Sequence, residues 1–243
     1  MIQLHHGGPN GHCASVLIGV AEKGLDLDLH GIDLSRFEQH GDKLLALNPA
    51  GQVPVLRDEA GRALTEAFFI LLYLDERFPA PALGGADPQA RYMIQKWGKY
   101  VETHLAPNLA ILSWALEGTP PDDKARQGFA ALPPERRALW AQAMDGFPDE
   151  DVAKARAALA KGMDRIAADL AGHAWLAGDD YGIADIIVFP QAARARALGV
   201  ATSAAVSDWL DRVAARPAVR QAIGGDGMPA ALATMGPERG RWG

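Results

Sequence analysis

A glycine- and proline-rich stretch near the start of the 243-residue chain, HHGGPNGHCASVLIG, holds its one cysteine. It leads into a predicted helix that begins near Cys13. A thiol in the first turn of a helix has a lowered pKa, and the same N–H groups can stabilise a thiolate that a ligand brings. Cys13 is therefore a candidate catalytic residue. An isolated cysteine is at least as often a packing residue, so that alternative stays open for Cys13.

A second candidate is NPAGQVPVL, residues Asn48–Leu56, in which a strand begins with Val53 and Pro54. Proline cannot donate to a β-ladder. With a cis peptide bond, the backbone N–H and C=O of Val53 would face solvent and could pair with an extended, peptide-like ligand. Only about 5% of X–Pro bonds are cis, so these residues alone favour a trans proline at the start of an edge strand.

A third candidate is LTEAFFILLYLDE, residues Leu64–Glu76, where a strand turns directly into a helix. Thr65 is the predicted N-cap, and the free N–H groups of the first turn could bind a carboxylate. Glu66 could pair with an ammonium group, so the segment could hold a zwitterionic amino-acid head. The alternative is a threonine cap followed by a glutamate that complements the helix dipole.

Alternating strand and helix patterns over the first third predict the order β-α-β-α-β-β-α, typical of a small α/β unit. The predicted elements are strand Ile2–His5, helix Cys13–Lys23, strand Leu25–Asp33, helix Arg36–Leu47, strand Val53–Asp58, strand Ala63–Leu64 and helix Glu66–Phe78.

A proline- and glycine-rich linker, Phe78–Pro88, precedes a region with helical patterns only. We expect residues 1–79 to form the α/β domain, 80–87 the linker and 88–243 an all-helical domain with a loosely held, glycine-rich end. The predicted helices are Gln89–Leu116, Glu135–Met144, Val152–Leu170, Ala184–Leu198 and Ser203–Ala215.

The composition narrows the classes of function. The chain has 24 Lys and Arg against 30 Asp and Glu, a net charge of −6, and no basic patch with interleaved aromatics, which argues against nucleic acid as a partner. One cysteine excludes an internal disulfide framework and a multi-thiolate metal site. We see no secretory signal or membrane-spanning run, and expect a cytoplasmic protein.

Taken in order, these segments resemble the cytosolic glutathione transferases, which have a thioredoxin-like α/β domain followed by an all-α domain. NPAGQVPVL resembles the family's cis-proline segment, and LTEAFFILLYLDERFP the segment that binds the γ-glutamyl head. YGIADIIVFP, residues Tyr181–Pro190, resembles its capping-box segment, with Asp185 as the acidic residue. Two segments, Ser35–Leu56 and Asp145–Asp151, more narrowly resemble the serine-type branch of the bacterial glutathione-dependent lignin β-etherases.

The resemblance implies glutathione as co-substrate and no metal. The glutathione thiolate, stabilised by Asn10, His12 or Cys13, would attack the β-carbon of an α-keto β-aryl ether and expel a phenolate. The implied glutathione-binding residues are His40, Gln52, Val53, Pro54, Thr65, Glu66 and Ala67.

The substrate pocket is expected between the domains. Its candidate lining is Trp97, Tyr100, His104 and Trp114, although an aromatic residue at helical spacing is more often core, and Met235 and Trp242 could close it. The resemblance further implies a homodimer, or a heterodimer with a related subunit.

Three departures from the family pattern keep alternatives open. Ala67 stands where the family has serine, Gly182 replaces the usual Ser/Thr cap, and Cys13 stands at the serine position of the active loop. The first alternative is a general glutathione transferase or a thiol-disulfide oxidoreductase that uses Cys13. The second is a dimer partner of this fold with weakened catalysis.

Overall fold

A computed structural model describes residues 1–117 and 123–223. Its first unit is a four-stranded sheet in the order β2-β1-β3-β4, with β1 parallel to β2 and antiparallel to β3, and β3 antiparallel to β4. The sheet agrees with the predicted thioredoxin-like domain. The elements are β1 (Gln3–His6), α1 (Gly11–Glu22), β2 (Asp28–Gly31), α2 (Asp42–Leu45), β3 (Val55–Arg57), β4 (Ala63–Leu64) and α3 (Ala67–Arg77).

All the regular elements of the second unit are helices within the described residues, as predicted. Helices α6 and α11 were not predicted, and the other helices differ from their predicted bounds by a few residues. The elements are α4 (Pro88–Tyr100), α5 (Ala106–Glu117), α6 (Asp123–Ala131), α7 (Pro134–Asp145), α8 (Asp149–Asp169), α9 (Ile183–Ala197), α10 (Ala204–Ala214) and α11 (Pro217–Ile223).

One apolar core runs through both units. Leu4 of β1 and Leu56 of β3 are paired in register and fully buried. Helix α1 packs against α3 on its own side and against α9 and α11 of the helical unit. Helix α9 is buried at every residue from Ile183 to Ala195, so it forms the central support for α1. The position of the α1 start is therefore fixed by the helical unit as well as by the sheet.

The predicted helix over Arg36–Leu47 is wrong. The chain instead makes two 3₁₀ turns, Leu34–Arg36 and Glu38–His40, before the single-turn helix α2. Phe37 separates the two 3₁₀ turns with a φ of 59°, in the left-handed region. Its ring packs edge-on against Trp140 of α7 at a centroid distance of 5.8 Å. Burial of Phe37 against the helical unit accompanies the interruption of the helical pattern.

Helices α4 and α5 form one continuous run that a π-helical turn interrupts at Val101–Leu105. The hydrophobic spacing predicted the run but not the interruption. Val101 and Leu105 are both buried in the core, and Leu105 packs closely over Gly162 of α8. A π turn is rare and is frequently found at functional sites.

Candidate active site

Residues from four separate segments line a cleft where the two units meet. The segments are the start of α1, the loop that leads into β3, the start of α3, and the π turn. Three of them are the segments whose residue types predicted chemistry, and the π turn was not among the predictions. The lining residues are His12, Asn48, Gln52, Val53, Pro54, Glu66, Ala67 and Glu102.

The loop before β3 is held in shape by Asn48, which is buried. Its Nδ2 donates to the backbone O of Gln52 at 2.9 Å, and its Oδ1 accepts from the N–H of Ala50 at 3.1 Å. The Val53–Pro54 peptide bond is cis, unlike the trans form that the residues alone favoured. Gln52, Val53 and Pro54 all lie on the cleft, where they were predicted to bind a ligand.

The start of α3 presents Glu66 and Ala67 to the cleft. Glu66, rather than Thr65, occupies the N-cap position, so the prediction that Thr65 caps this helix is wrong. Glu66 has a φ of 65° and an exposed side chain. A non-glycine residue in this region costs about 1–3 kcal/mol, and such residues cluster at ligand sites. The first-turn N–H groups of a helix have no intrahelical partner, and Ala67 begins this one.

In the opening loop, two of the three candidate catalytic residues have structural contacts. Asn10 is buried, and its Nδ2 donates to the backbone O of Gly7 at 2.6 Å. The Sγ of Cys13 accepts from the N–H of Gly7 at 3.4 Å. Cys13 is 3% exposed and packs in an apolar cluster with Leu34, Leu44, Val53 and Val55. Its sulfur therefore lies behind the wall of the cleft, and Asn10 shapes the loop.

His12 is the third candidate, and its side chain does line the cleft. Its Nδ1 lies 3.6 Å from Oε1 of Glu102 on the π turn, with the histidine side chain 10% exposed and the glutamate side chain 33% exposed. This ion-pair distance is longer than a hydrogen bond. The pair joins the α/β unit to the helical unit directly at the cleft.

His40 lies at the domain interface instead of on the cleft. Its Nε2 accepts from the indole N–H of Trp140 at 3.1 Å, and its Nδ1 lies 3.1 Å from the guanidinium of Arg136. Burial, together with the Arg136 charge, lowers the pKa of His40 to about 4. The imidazole is therefore neutral near pH 7, and its role is to hold α7 on the α/β unit. The position of His40 does not support its predicted role in binding glutathione.

The four aromatic candidates for the substrate pocket occupy different environments. The prediction for Trp97 is wrong, because its side chain is fully buried in the core. Trp114 is nearly buried, in a cluster that also contains Phe37 and Trp140. Tyr100 stacks on the exposed His104 at a centroid distance of 4.6 Å. None of the four lines the cleft defined above.

Met235 and Trp242, which were predicted to close the pocket, lie outside the described residues.

Sequence reasoning missed two residues of the cleft, Asn48 and Glu102. The Asn-Pro-Ala-Gly order carries a usable signal for Asn48, because an asparagine side chain commonly bonds the backbone two residues ahead. Glu102 had no such signal. Its position depends on the π turn, which the hydrophobic spacing does not reveal.

Among residues 1–117 and 123–223, no group of three or more His, Cys, Asp or Glu side chains is arranged to hold a metal ion. No helix within these ranges has the length and apolar character needed to cross a membrane.

Comparisons with known families match both units. The model for "Glutathione S-transferase, N-terminal domain" matches residues 12–77, and that for "Glutathione S-transferase, C-terminal domain" matches residues 129–217. Protein LigF of Sphingobium sp. (strain NBRC 103272 / SYK-6) is 29% identical over 237 residues, which cover 90% of this chain and 92% of that protein. Maleylacetoacetate isomerase of Pseudomonas aeruginosa is 30% identical over 213 residues, 85% of this chain and 88% of the relative.

Among solved structures, the crystal structure of β-etherase LigF from Sphingobium sp. strain SYK-6 is similar, with a TM-score of 0.80 and 28% identity. The match covers 91% of this chain and 98% of that one. Sequence and fold thus agree on the relationship over nearly the whole described chain.

Proposed function

Because the chain belongs to the glutathione S-transferase family, we propose that it is a β-etherase that cleaves the β-aryl ether bond of lignin-derived α-keto aromatic compounds. Members of the family use glutathione as co-substrate. The similarity to LigF, named a β-etherase in its crystal structure, supports this substrate class. The remaining support comes from how the cleft suits glutathione.

Glutathione is an extended tripeptide with a zwitterionic γ-glutamyl head. The cysteinyl part would lie along Val53, which borders the cleft just before β3, with Gln52 and Pro54 beside it. The head would lie at the start of α3, where Glu66 offers a carboxylate to the ammonium group. The dipole and free N–H groups of that helix suit the head's carboxylate. Ala67 contributes only backbone, so one side-chain hydroxyl contact of the family is missing.

The reaction needs a thiolate beside the start of α1. The glutathione sulfur would form a bond to the β-carbon of the ketone, the bond from that carbon to the aryl ether oxygen would break, and the aryl oxygen would leave as phenolate. One proton leaves the thiol, and one is taken up by the phenolate, so no oxidant is required. His12 is the candidate catalytic side chain that faces this space, and the N-terminus of α1 adds a favourable dipole.

The burial of Cys13 supports glutathione, and not the protein, as the source of the reacting sulfur. A nucleophilic cysteine has to reach its substrate and is partially exposed. The Sγ of Cys13 is buried among Leu34, Leu44 and Val55. We therefore assign the reacting sulfur to glutathione and a packing role to Cys13.

The test is an assay with glutathione and a racemic α-keto β-aryl ether, run on the wild type and on Cys13→Ser. The proposal predicts release of the phenol with formation of a glutathione thioether by both proteins. Reduction of hydroxyethyl disulfide that is lost in Cys13→Ser would instead support a thiol-disulfide oxidoreductase. Isomerisation of maleylacetoacetate without ether cleavage would contradict the substrate class, and no glutathione binding by calorimetry would contradict the enzyme itself.

A dimeric, cytoplasmic enzyme belongs to the same proposal. Phe69 on α3 and Tyr92 on α4 are 63% and 59% exposed in the single chain. They suit an interface with a second copy or a related subunit. Sedimentation at micromolar concentration tests this, and a monomer that retains full activity would contradict it. The cytoplasm is where glutathione keeps thiols reduced, which suits a lone free cysteine.

A further inference from the structure

Two polar atoms that lack a hydrogen bond lie close together at the cleft, one from each unit. His12 Nδ1 and Glu102 Oε1 are both buried, and neither has a hydrogen-bond partner among the residues that the structure describes. They lie 3.6 Å apart. Buried polar atoms without partners are rare and demand an explanation. Both residues line the cleft that we propose binds glutathione.

The π turn accounts for the position of Glu102. Val101 and Leu105, at the two ends of the turn, are anchored in the core, and Leu105 is held against Gly162 of α8. Glu102 lies between these anchors and lines the cleft. A carboxylate is thereby placed on the cleft by a rare backbone feature whose two ends are buried in the core.

We infer that Glu102 is a positioning residue that orients His12 toward the glutathione thiol, an inference that rests on the proposed function. The carboxylate accepts Nδ1–H when the pair closes to hydrogen-bond distance on ligand binding, since such contacts are often long in the empty site. With the proton on Nδ1, Nε2 is the ring nitrogen left to act on a ligand.

The proton path through this pair is balanced. The thiol proton passes to Nε2 as the thiolate forms, and Glu102 stabilises the resulting imidazolium. After the carbon–oxygen bond breaks, Nε2 donates that proton to the phenolate oxygen, which leaves as the phenol. His12 returns to its neutral form and Glu102 stays ionised throughout. Glu66 is the third titratable side chain on the cleft, and it lies on the wall formed by α3.

A purely structural contact between the units would also explain this geometry. The test therefore needs a measurement that a change in protein stability does not affect. The variants are Glu102→Gln and His12→Gln, singly and together. Thr103→Ala is the matched control, because Thr103 is on the same turn but is exposed and bonds the backbone O of Lys99 at 2.8 Å. The measurements are the ultraviolet thiolate absorbance of bound glutathione against pH and the kinetics with an activated aryl halide.

We expect Glu102→Gln to raise the apparent pKa of the bound thiol by about one unit and to lower kcat/KM near neutral pH about tenfold. The KM for glutathione should change less than about twofold, and the double variant should be no worse than His12→Gln, since residues acting through one another are not additive. Thr103→Ala should match the wild type.

An unchanged thiol pH profile in Glu102→Gln, or additive losses in the double variant, would overturn the inference. The two proposals fail separately. If Glu102→Gln does not shift the apparent pKa of the bound thiol but the wild type cleaves the ether, only the role of Glu102 is wrong. If the variant shifts that pKa but the wild type cleaves no ether, only the proposed substrate class is wrong.

Discussion

The substitution Gly182→Ser tests whether glycine is required at the N-cap of α9 or is only a weaker cap than serine. Gly182 is the N-cap residue of α9, where serine or threonine would normally supply the capping oxygen. In the structure, the backbone O of Leu83 in the linker accepts the N–H of Ile183 at 2.9 Å. The Asp185 carboxylate accepts the N–H of Gly182 at 3.1 Å. The linker carbonyl thus accepts the first free N–H of the helix without a serine or threonine hydroxyl at the N-cap.

The magnitude follows from the space around Gly182. A Cβ there would lie 2.5 Å from the backbone O of Leu83, although the backbone itself, with a φ of −163°, suits any residue. Relieving this contact to about 3.5 Å moves the linker by about 1 Å. Overpacking of this kind costs about 1–3 kcal/mol, and losing the Ile183 bond adds about 1 kcal/mol. A new serine cap returns about 1 kcal/mol, so we expect a net loss of about 2 kcal/mol.

Urea unfolding followed by fluorescence measures this loss. With a slope of about 1–3 kcal/mol per molar, the midpoint of Gly182→Ser should fall by about 1 M. Gly182→Ala isolates the steric cost. Gly31→Ser is the matched control, because a Cβ at Gly31 meets nothing within 4 Å, and it should stay within about 0.5 kcal/mol of the wild type. An unchanged or higher midpoint for Gly182→Ser would refute the linker cap.

The remaining predictions concern a buried carboxylate and an interface imidazole. The buried Asp185 carboxylate accepts three N–H groups, one of them the Trp209 indole at 2.8 Å, so Asp185→Ala should cost about 3 kcal/mol in urea unfolding. Burial raises the pKa of Asp185 to about 6, so the folded state holds this proton more tightly than the unfolded state. The stability linked to this proton is therefore greatest below about pH 4 and is lost as pH rises from about 4 to 6, and comparing the unfolding free energies of the wild type and Asp185→Asn at pH 4 and above pH 6 tests the sign. The pKa of His40 is instead lowered to about 4, so the unfolded state takes up this proton first, and stability should fall as pH drops from 6.5 to 4. Urea midpoints of His40→Gln should depend less on pH over this range than those of the wild type, and an equal dependence would contradict the role given to His40.

Residues whose role depends on local backbone chemistry were predictable from the sequence. Strand β4 has its predicted bounds, and Val53 and Glu66 lie on the cleft as expected. A proline at a strand start and a strand-to-helix junction restrict the backbone within a few residues. Their positions therefore follow from short segments, without knowledge of the partner domain.

Residues whose role depends on distant contacts were not predictable from the sequence. Phe37 interrupts the predicted helix while packing on Trp140, a residue far along the chain. In the same region, His40 contacts Trp140 and Arg136 and does not line the cleft. Glu102 reaches the cleft only through a π turn. Each outcome is set by tertiary packing that overrides a local pattern.

Cys13 is the residue on which the central claim is tested most directly. The measurement is kcat/KM for the α-keto β-aryl ether with glutathione, in the wild type and in Cys13→Ala, with mass analysis of product and protein. The account predicts a glutathione thioether product, activity within about threefold in the variant, and a Cys13 thiol that stays unmodified during turnover. An inactive but folded Cys13→Ala, or a glutathione adduct on Cys13 in the working enzyme, would contradict it.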